Sequence, residues 1–449
     1  MLQTLDLFLT AYDPSDLPGG SIDPMGFDRG YMFLADCILP GMSNVASRPR
    51  YFSALCAGIS LAEGEPDATF RHQRERRRDC ALRFERLWAM ANALASRREE
   101  LSASGIRGIT YVNAEMERLE RNGTSAASAK YKLLIRQQQY GMLGMYGAIA
   151  EGMRLIERRS LLLTPDAGLR LAEAFISETK LPPTVRKAMQ AEKENIEVDL
   201  DILADWGKRA HVETNPGGEE ARLIREALHR DPLRSRMATV LAEHQFNKSD
   251  GDDVDSEQKR LARIARSLSG KSEHADLHAA ILTILAYERC YRISMLAFER
   301  ILRLCRTCQS GVLKPTALLH DEVIKKAADA LPHAVGDFKS AIDAIKNATP
   351  VMSLDRIEDV YQFLIGRLSA ASDIAQFCQA VLSRHADIQH GKFDRGRRKM
   401  AWIEESGAGI SLTMTRAGGR DFDVDTPEKI TPHFYRLGSA DAFIRQGGN

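Results

Sequence analysis

The sequence predicts a mainly α-helical, multi-helical protein with an embedded winged-helix-like unit and a small β-containing C-terminal appendage. Three observations carry that prediction. Apolar residues recur at three- and four-residue steps through 52–98 and again through 258–390, the period at which side chains share one face of a helix. Residues 141–175, GMLGMYGAIAEGMRLIERRSLLLTPDAGLRLAEAF, run in order through an apolar helix, a short apolar-basic strand, its hairpin partner and the start of another helix. After Gly391 the pattern changes to alternation between glycines, which suits short strands.

Composition limits the possibilities. With 44% hydrophobic and 27% charged residues, a 449-residue chain has the profile of a folded protein with room for two or three domains. Lys and Arg number 62 against 61 Asp and Glu, so any hold on a polyanion must come from a regional patch. The opening MLQTLDLFLTAYDPSD has no basic region ahead of an apolar core, and a cytoplasmic protein is expected. No run approaches the roughly eighteen uninterrupted apolar residues of a membrane helix, so no membrane partner is expected. Seven cysteines scattered from Cys37 to Cys378 suit reduced thiols. Cys305 and Cys308 form a CxxC pair that lacks two further zinc ligands, and small apolar core residues on one helix face are the stronger reading.

Along the chain, 1–52 reads as an irregular N-terminal arm rich in Pro and Gly, within which 31–39 is a short buried helix stopped by Pro40-Gly41. Residues 53–182 form a helical region containing the winged-helix-like unit at 125–178. In it Phe84, Leu87, Trp88, Ala91 and Leu94 mark a long helix, 106–112 is strand-like, and a helix follows to Arg121. Thr124 or Ser125, after the break at Asn122-Gly123, is placed to cap a helix over 126–139. Pro182-Pro183 opens a helical stretch, 183–246, interrupted at 215–218 and at Asp231-Pro232. Residues 247–257, NKSDGDDVDSE, are an acidic linker whose carboxylates lack the order of a calcium loop. A helical domain follows over 258–391, with a long helix at 273–307, and then a small β-rich segment, 392–449, with a strand at 410–415 and a closing helix at 439–445.

The candidate function rests on cations. Arg71, Arg74, Arg76, Arg77 and Arg78 crowd into nine residues with one glutamate, and Lys130, Lys132, Arg136, Arg154, Arg158 and Arg159 surround the winged-helix-like unit. From 130 to 170, with Arg170 included, seven cations face three carboxylates, a local net +4 in a neutral chain. Clustered cations bind phosphates by releasing condensed counterions. The competing reading is a solvated face laced with Asp79, Glu85, Glu99 and Glu100, just as Met142, Met145, Ile149, Met153 and Ile156 are core residues first.

Enzymatic signatures are sparse. There is no phosphate-binding Gly-x-x-x-x-Gly-Lys-Ser/Thr loop and no Gly-x-Ser-x-Gly elbow, and no catalytic residue, cofactor or metal site is assigned. The alternative is a metal-dependent phosphohydrolase or nuclease in the C-terminal helical half. There His274, His278, His320 and Asp321 would hold an ion whose bound water attacks phosphate, although Asp321 equally suits a helix N-terminus.

Residues 25–52, MGFDRGYMFLADCILPGMSNVASRPRYF, with 163–168, LTPDAG, and 432–437, PHFYRL, resemble a group of bacterial anti-phage defence-island proteins. In that group the Leu-Pro-Gly and Arg-x-Arg-Tyr-Phe pieces recur near the start. The resemblance implies a non-enzymatic DNA-contacting or adaptor subunit of a multi-protein defence system, with helicase or nuclease subunits and double-stranded DNA as partners. It transfers no catalytic residues. A purely structural protein–protein scaffold is the third reading.

Overall fold

The computed structural model describes residues 23–45, 47–62, 69–190, 195–245, 256–348, 355–394, 397–413 and 424–446. They are mainly helical, and the chain divides into two units, each built from separated stretches: 38–245 with 434–449, and 1–37 with 246–433. Among the described residues no helix is long and apolar enough to cross a membrane.

In the unit containing residues 38–245, a 30-residue helix, Phe70–Glu99, is the axis. Thr69 caps it by accepting the His72 N–H, which satisfies one of the donors a helix start leaves unpaired. Its middle is buried on most sides: Phe84 packs edge-on against Phe175 and Trp206, and Trp88 against Tyr51. The helix Leu200–Ala210 lies so close that a Cβ on Gly207 would sit 2.0 Å from the Ala91 carbonyl oxygen, so only glycine fits. Trp88 Nε1 donates to the Ala210 carbonyl and Asn92 Oδ1 accepts the Val212 N–H, both at 2.7 Å. These bonds satisfy backbone groups where that helix ends. Helices Arg50–Ser60 and Arg170–Glu178 complete the layer.

The other unit is centred on the 33-residue helix Ala275–Thr307 packed along Glu322–Ala348. Residues 23–27 are fastened to it and to the helix Ile374–His390. Tyr287 donates to the Phe27 carbonyl, and Arg384 donates to the Met25 carbonyl and, through both terminal nitrogens, to Asp359. His385 Nε2 accepts the Trp402 N–H at 2.8 Å, which leaves Nδ1 as the donor to the Pro24 carbonyl at 3.0 Å. This neutral tautomer is consistent with burial pushing the imidazole down to about 4.

The C-terminal sheet has three strands: Ile403–Ser406 and Gly409–Leu412 form a hairpin, and Val312–Leu313 joins its edge antiparallel. Both Ile403–Ser406 and Val312–Leu313 are additions to the single strand expected at 410–415. The closing helix spans Leu437–Gln446 and packs on Gly218–His229 and Pro232–Glu243 in the first unit.

Two expected elements differ. The strand expected at 106–112 is instead the start of a helix, Ile109–Arg121, because Gly108 at φ +74° turns the chain into it. The helix expected over 126–139 is replaced by a strand, Ala126–Ser128, paired antiparallel with Glu197–Asp199, and by irregular chain with turns and bends leading to a four-residue helix, Gln137–Tyr140. Ala127, Ala129, Tyr131 and Leu133 are buried while Lys130 and Lys132 are exposed, so the inward–outward alternation of the strand carries on into the turns that follow it. Residues 247–255 of the acidic linker and 414–415 of the expected strand lie outside the described residues, while 256–257, expected as linker, begin the helix Ser256–Leu268.

Candidate nucleic-acid interface

The hairpin read from the sequence is present. The apolar helix Met142–Gly152 ends, Ile156–Glu157 pairs antiparallel with Leu162–Leu163, and Thr164 starts the next helical segment through a π turn, Pro165–Leu169, into Arg170–Glu178. Met142, Ile149, Met153 and Ile156 are core residues. Thr164 ties the base of the hairpin together: its hydroxyl donates to the Arg154 carbonyl at 2.7 Å and accepts the Gly168 N–H at 3.0 Å. Two non-glycine residues in the left-handed region, Arg154 at φ 56° and Leu161 at φ 55°, turn the chain on either side of the first strand and the loop. Buried Ser160 bridges the tip, donating to Glu157 Oε2 at 2.7 Å and accepting the Leu162 N–H. The first helix of a winged-helix unit over 125–178 is absent, since 126–128 is a strand; what remains is helix, hairpin, helix.

The hairpin seats against the arginine helix. Arg74 Nε donates to the Arg159 carbonyl at 2.8 Å and Arg77 Nη1 to the Ser160 carbonyl at 3.2 Å. Two cations of the 71–78 cluster therefore lie beside the hairpin tip that carries Arg158 and Arg159. Arg71 and Arg78 are drawn off to local carboxylates: Arg71 pairs with Glu75 at 3.0 Å, and Arg78 with Asp79 at 2.8 Å. The Arg71 guanidinium accordingly holds Glu75 below the ordinary glutamate range. Arg76 is half-buried.

Arg154, Arg158 and Arg159 are exposed, and none is ion-paired to a carboxylate among the described residues. Glu157 is occupied by Ser160, and Glu151 accepts the Arg158 backbone N–H. Arg170, counted in the local +4, is neutralised by Glu219 at 2.8 Å. Lys130, Lys132 and Arg136 are exposed but belong elsewhere along the helix. Their segment is anchored by Tyr131, which donates to the Arg86 carbonyl, and by Arg86, which donates to the Ala129 carbonyl. Arg86 is twelve residues beyond Arg74, or about 18 Å along the helix axis. Lys132 rests over the Tyr111 ring. The structure thus gathers Arg74, Arg77, Arg158 and Arg159 and sets the 130–136 cations apart.

The hairpin's position depends on Gly168. A Cβ there would lie 1.9 Å from the Leu155 carbonyl oxygen, a backbone atom that cannot swing away as a side chain can. Gly168→Ala is expected to cost about 1–3 kcal/mol, the range of core overpacking, read as a lowered urea midpoint.

The sequence pieces at 39–52 and 434–437 serve architecture. Gly41 of the Leu-Pro-Gly piece lies on Gly152, where a Cβ would approach Gly41 Cα to 2.9 Å. Buried Arg234 donates to the Pro40 carbonyl and to the Leu228 and Ala227 carbonyls. Arg436 donates to the Leu39 carbonyl, and Asn44 bonds Phe434 and Arg436 backbone groups. In the Arg-x-Arg-Tyr-Phe piece, Arg48 pairs with Glu213 and Arg50 with Glu220.

The alternative metal set does not assemble. Among the described residues no group of three or more His, Cys, Asp or Glu side chains could hold a metal ion, His274, His278, His320 and Asp321 included. Asp321 caps Glu322–Ala348, accepting the Val323 and Ile324 N–H groups, and pairs with Arg300. Of the CxxC pair, Cys305 is buried as expected, but Cys308 is the C-cap of its helix and partly exposed. No family model matches the chain, and no curated protein or solved structure matches it either.

Proposed function

We propose that this chain is a non-enzymatic, DNA-contacting subunit of a multi-protein anti-phage defence system, and that it grips the phosphate backbone of double-stranded DNA through the hairpin. One observation supports this reading above the rest: Arg74 and Arg77 bind the carbonyls at the hairpin tip, next to exposed Arg158 and Arg159 that no described carboxylate neutralises. Because Arg71, Arg78 and Arg170 are already paired, the footprint is small, and its binding depends on few phosphate contacts. The assignment to a defence system, with helicase or nuclease subunits as partners, rests on the sequence resemblance.

Fluorescence anisotropy with a labelled duplex, titrated across salt, tests the proposal. The wild type is expected to bind with a linear log Kd against log salt. The variant Arg154→Gln/Arg158→Gln/Arg159→Gln is expected to lose roughly 10-fold or more in affinity and to lower the slope by about 0.9 for each phosphate contact removed. Lys130→Gln/Lys132→Gln, away from the hairpin, is expected to change neither by as much. Duplex binding with no salt dependence, or none at all, would leave the scaffold reading in its place.

A further inference from the structure

Phe70, the first residue of the helix Phe70–Glu99, is 56% exposed, whereas Phe52, Phe84, Phe175 and Phe443 of the same unit are buried. Among the described residues no aromatic ring packs on it and no cation lies over it. A phenyl ring left in water at the head of a basic helix has a flat apolar face to offer.

Its place on the helix decides what stands beside it. Residues 70, 74 and 77 share one face, at the steps of four and three that set Cβ atoms about 5–6 Å apart. Arg74 and Arg77 are the residues that hold the hairpin tip, through the Arg159 and Ser160 carbonyls. Helical side chains lean toward the N-terminus. The Arg74 guanidinium, and the Arg159 carbonyl with it, is thereby carried toward the turn that begins at Phe70. The ring stands one helical turn from Arg74, beside the tip that carries exposed Arg158 and Arg159.

The cations alone would serve any stretch of phosphates, but the ring narrows the choice. An apolar peptide could cover Phe70, yet it would bring no anion to the arginines. A nucleotide supplies both, a phosphate for the cations and a base whose flat face stacks on an aromatic side chain. Inside a duplex both faces of a base are already stacked on its neighbours, so only a base that has left the duplex can be received.

We infer that Phe70 is a base-stacking platform, and that the site takes DNA where a duplex passes into a single strand. The hairpin arginines hold the phosphates and Phe70 receives an unpaired base. The inference rests on the duplex-contact reading above and sharpens its ligand from uniform duplex to duplex with a single-stranded extension. Every base has a π-face, so no sequence preference accompanies the contact.

Fluorescence anisotropy with one labelled duplex in three forms is the test: blunt, with a short thymine overhang, and with an abasic overhang of the same length, which keeps the phosphates and lacks the bases. The wild type is expected to bind the thymine overhang roughly 5- to 150-fold more tightly than the abasic one, the worth of one base–aromatic stack. Phe70→Leu, apolar but without a π-face, should bring the two overhangs to equal affinity and leave the salt slope with blunt duplex unchanged. Phe70→Trp should keep the preference. Both replacements sit on the surface, outside the core. Salt-dependent binding of blunt duplex with equal affinity for the two overhangs overturns the stacking site and leaves the duplex reading standing. A preference that survives Phe70→Leu overturns it too. Binding of the thymine overhang that depends on Phe70, with no hold on blunt duplex, upholds the stacking site and overturns the duplex grip. Failure to bind any of the three overturns both.

Discussion

Arg50→Met is expected to destabilise the unit containing residues 38–245 by about 3–5 kcal/mol, the cost of removing one member of a buried ion pair. Arg50 is 3% exposed and Glu220 0%. Nε and Nη2 of Arg50 donate to the two oxygens of Glu220 at 3.3 and 3.1 Å, and Nη1 donates to the carbonyls of His211 and Thr214. Removing the guanidinium therefore strands a carboxylate and two carbonyls in the interior. Burial already raises the Glu220 pKa against the pull of Arg50, so without Arg50 the carboxyl takes up a proton more readily still. The loss should then be smaller at pH 5 than at pH 8. Replacing both partners, Arg50→Met/Glu220→Leu, should recover most of it, because an apolar pair of similar volume leaves no buried charge. Urea denaturation of the three proteins at both pH values measures this. A single variant that loses less than about 1 kcal/mol, or a double variant no more stable than the single, would contradict the account.

Which parts of this structure are legible in the sequence follows from how far each signal reaches along the chain. The order from Met142 to Glu178 is legible because every device in it is local: the apolar helix spacing, the strand pair six residues apart, and Thr164 capping four residues on. Strand Ala126–Ser128 escapes a local reading because its partner, Glu197–Asp199, is some seventy residues away, although Ala127, Ala129, Tyr131 and Leu133 do alternate with lysines in the sequence. Val312–Leu313 is hidden for the same reason, its partner strand being Gly409–Leu412. At the candidate interface the cations themselves are legible but their state is not. Pairing of Arg71 with Glu75 is a four-residue helix spacing and follows from sequence; that of Arg170 with Glu219 depends on the fold. Likewise nothing in the spacing marks Arg74 and Arg77 as the residues that receive the hairpin tip. Glu85, whose position in the sequence suits a surface partner for the arginine cluster, is 2% exposed.

That burial makes Glu85 the group through which pH acts on the same unit. Gln137 Nε2 donates to its Oε2 at 2.8 Å, and the Met142 N–H, at the start of Met142–Gly152, donates to Oε1 at 2.5 Å. Gly141 has no side chain to intrude: a Cβ there would lie 2.5 Å from Oε2. Burial outweighs these bonds and the nearby Arg107 and Arg86 charges, and lifts the carboxyl from 4.5 to about 7. A carboxyl whose folded pKa lies above its unfolded one favours the folded state fully below pH 4.5, and loses that contribution as pH rises through 7. The shift of about 2.5 units corresponds to about 3 kcal/mol at 1.36 kcal/mol per unit. Wild-type stability should therefore fall by that order between pH 5 and pH 8 from this group alone. Glu85→Gln cannot ionise and should flatten that part of the slope, at a uniform cost of about 1 kcal/mol for the bond from Gln137 that an amide nitrogen cannot accept. Trp88 and Trp206, both buried in this unit, supply the fluorescence signal for denaturant titrations at pH 5, 6, 7 and 8. Equal slopes for the two proteins would show that the Glu85 carboxyl is already ionised at pH 5, and that the hydrogen bonds at the helix start, rather than desolvation, set its charge.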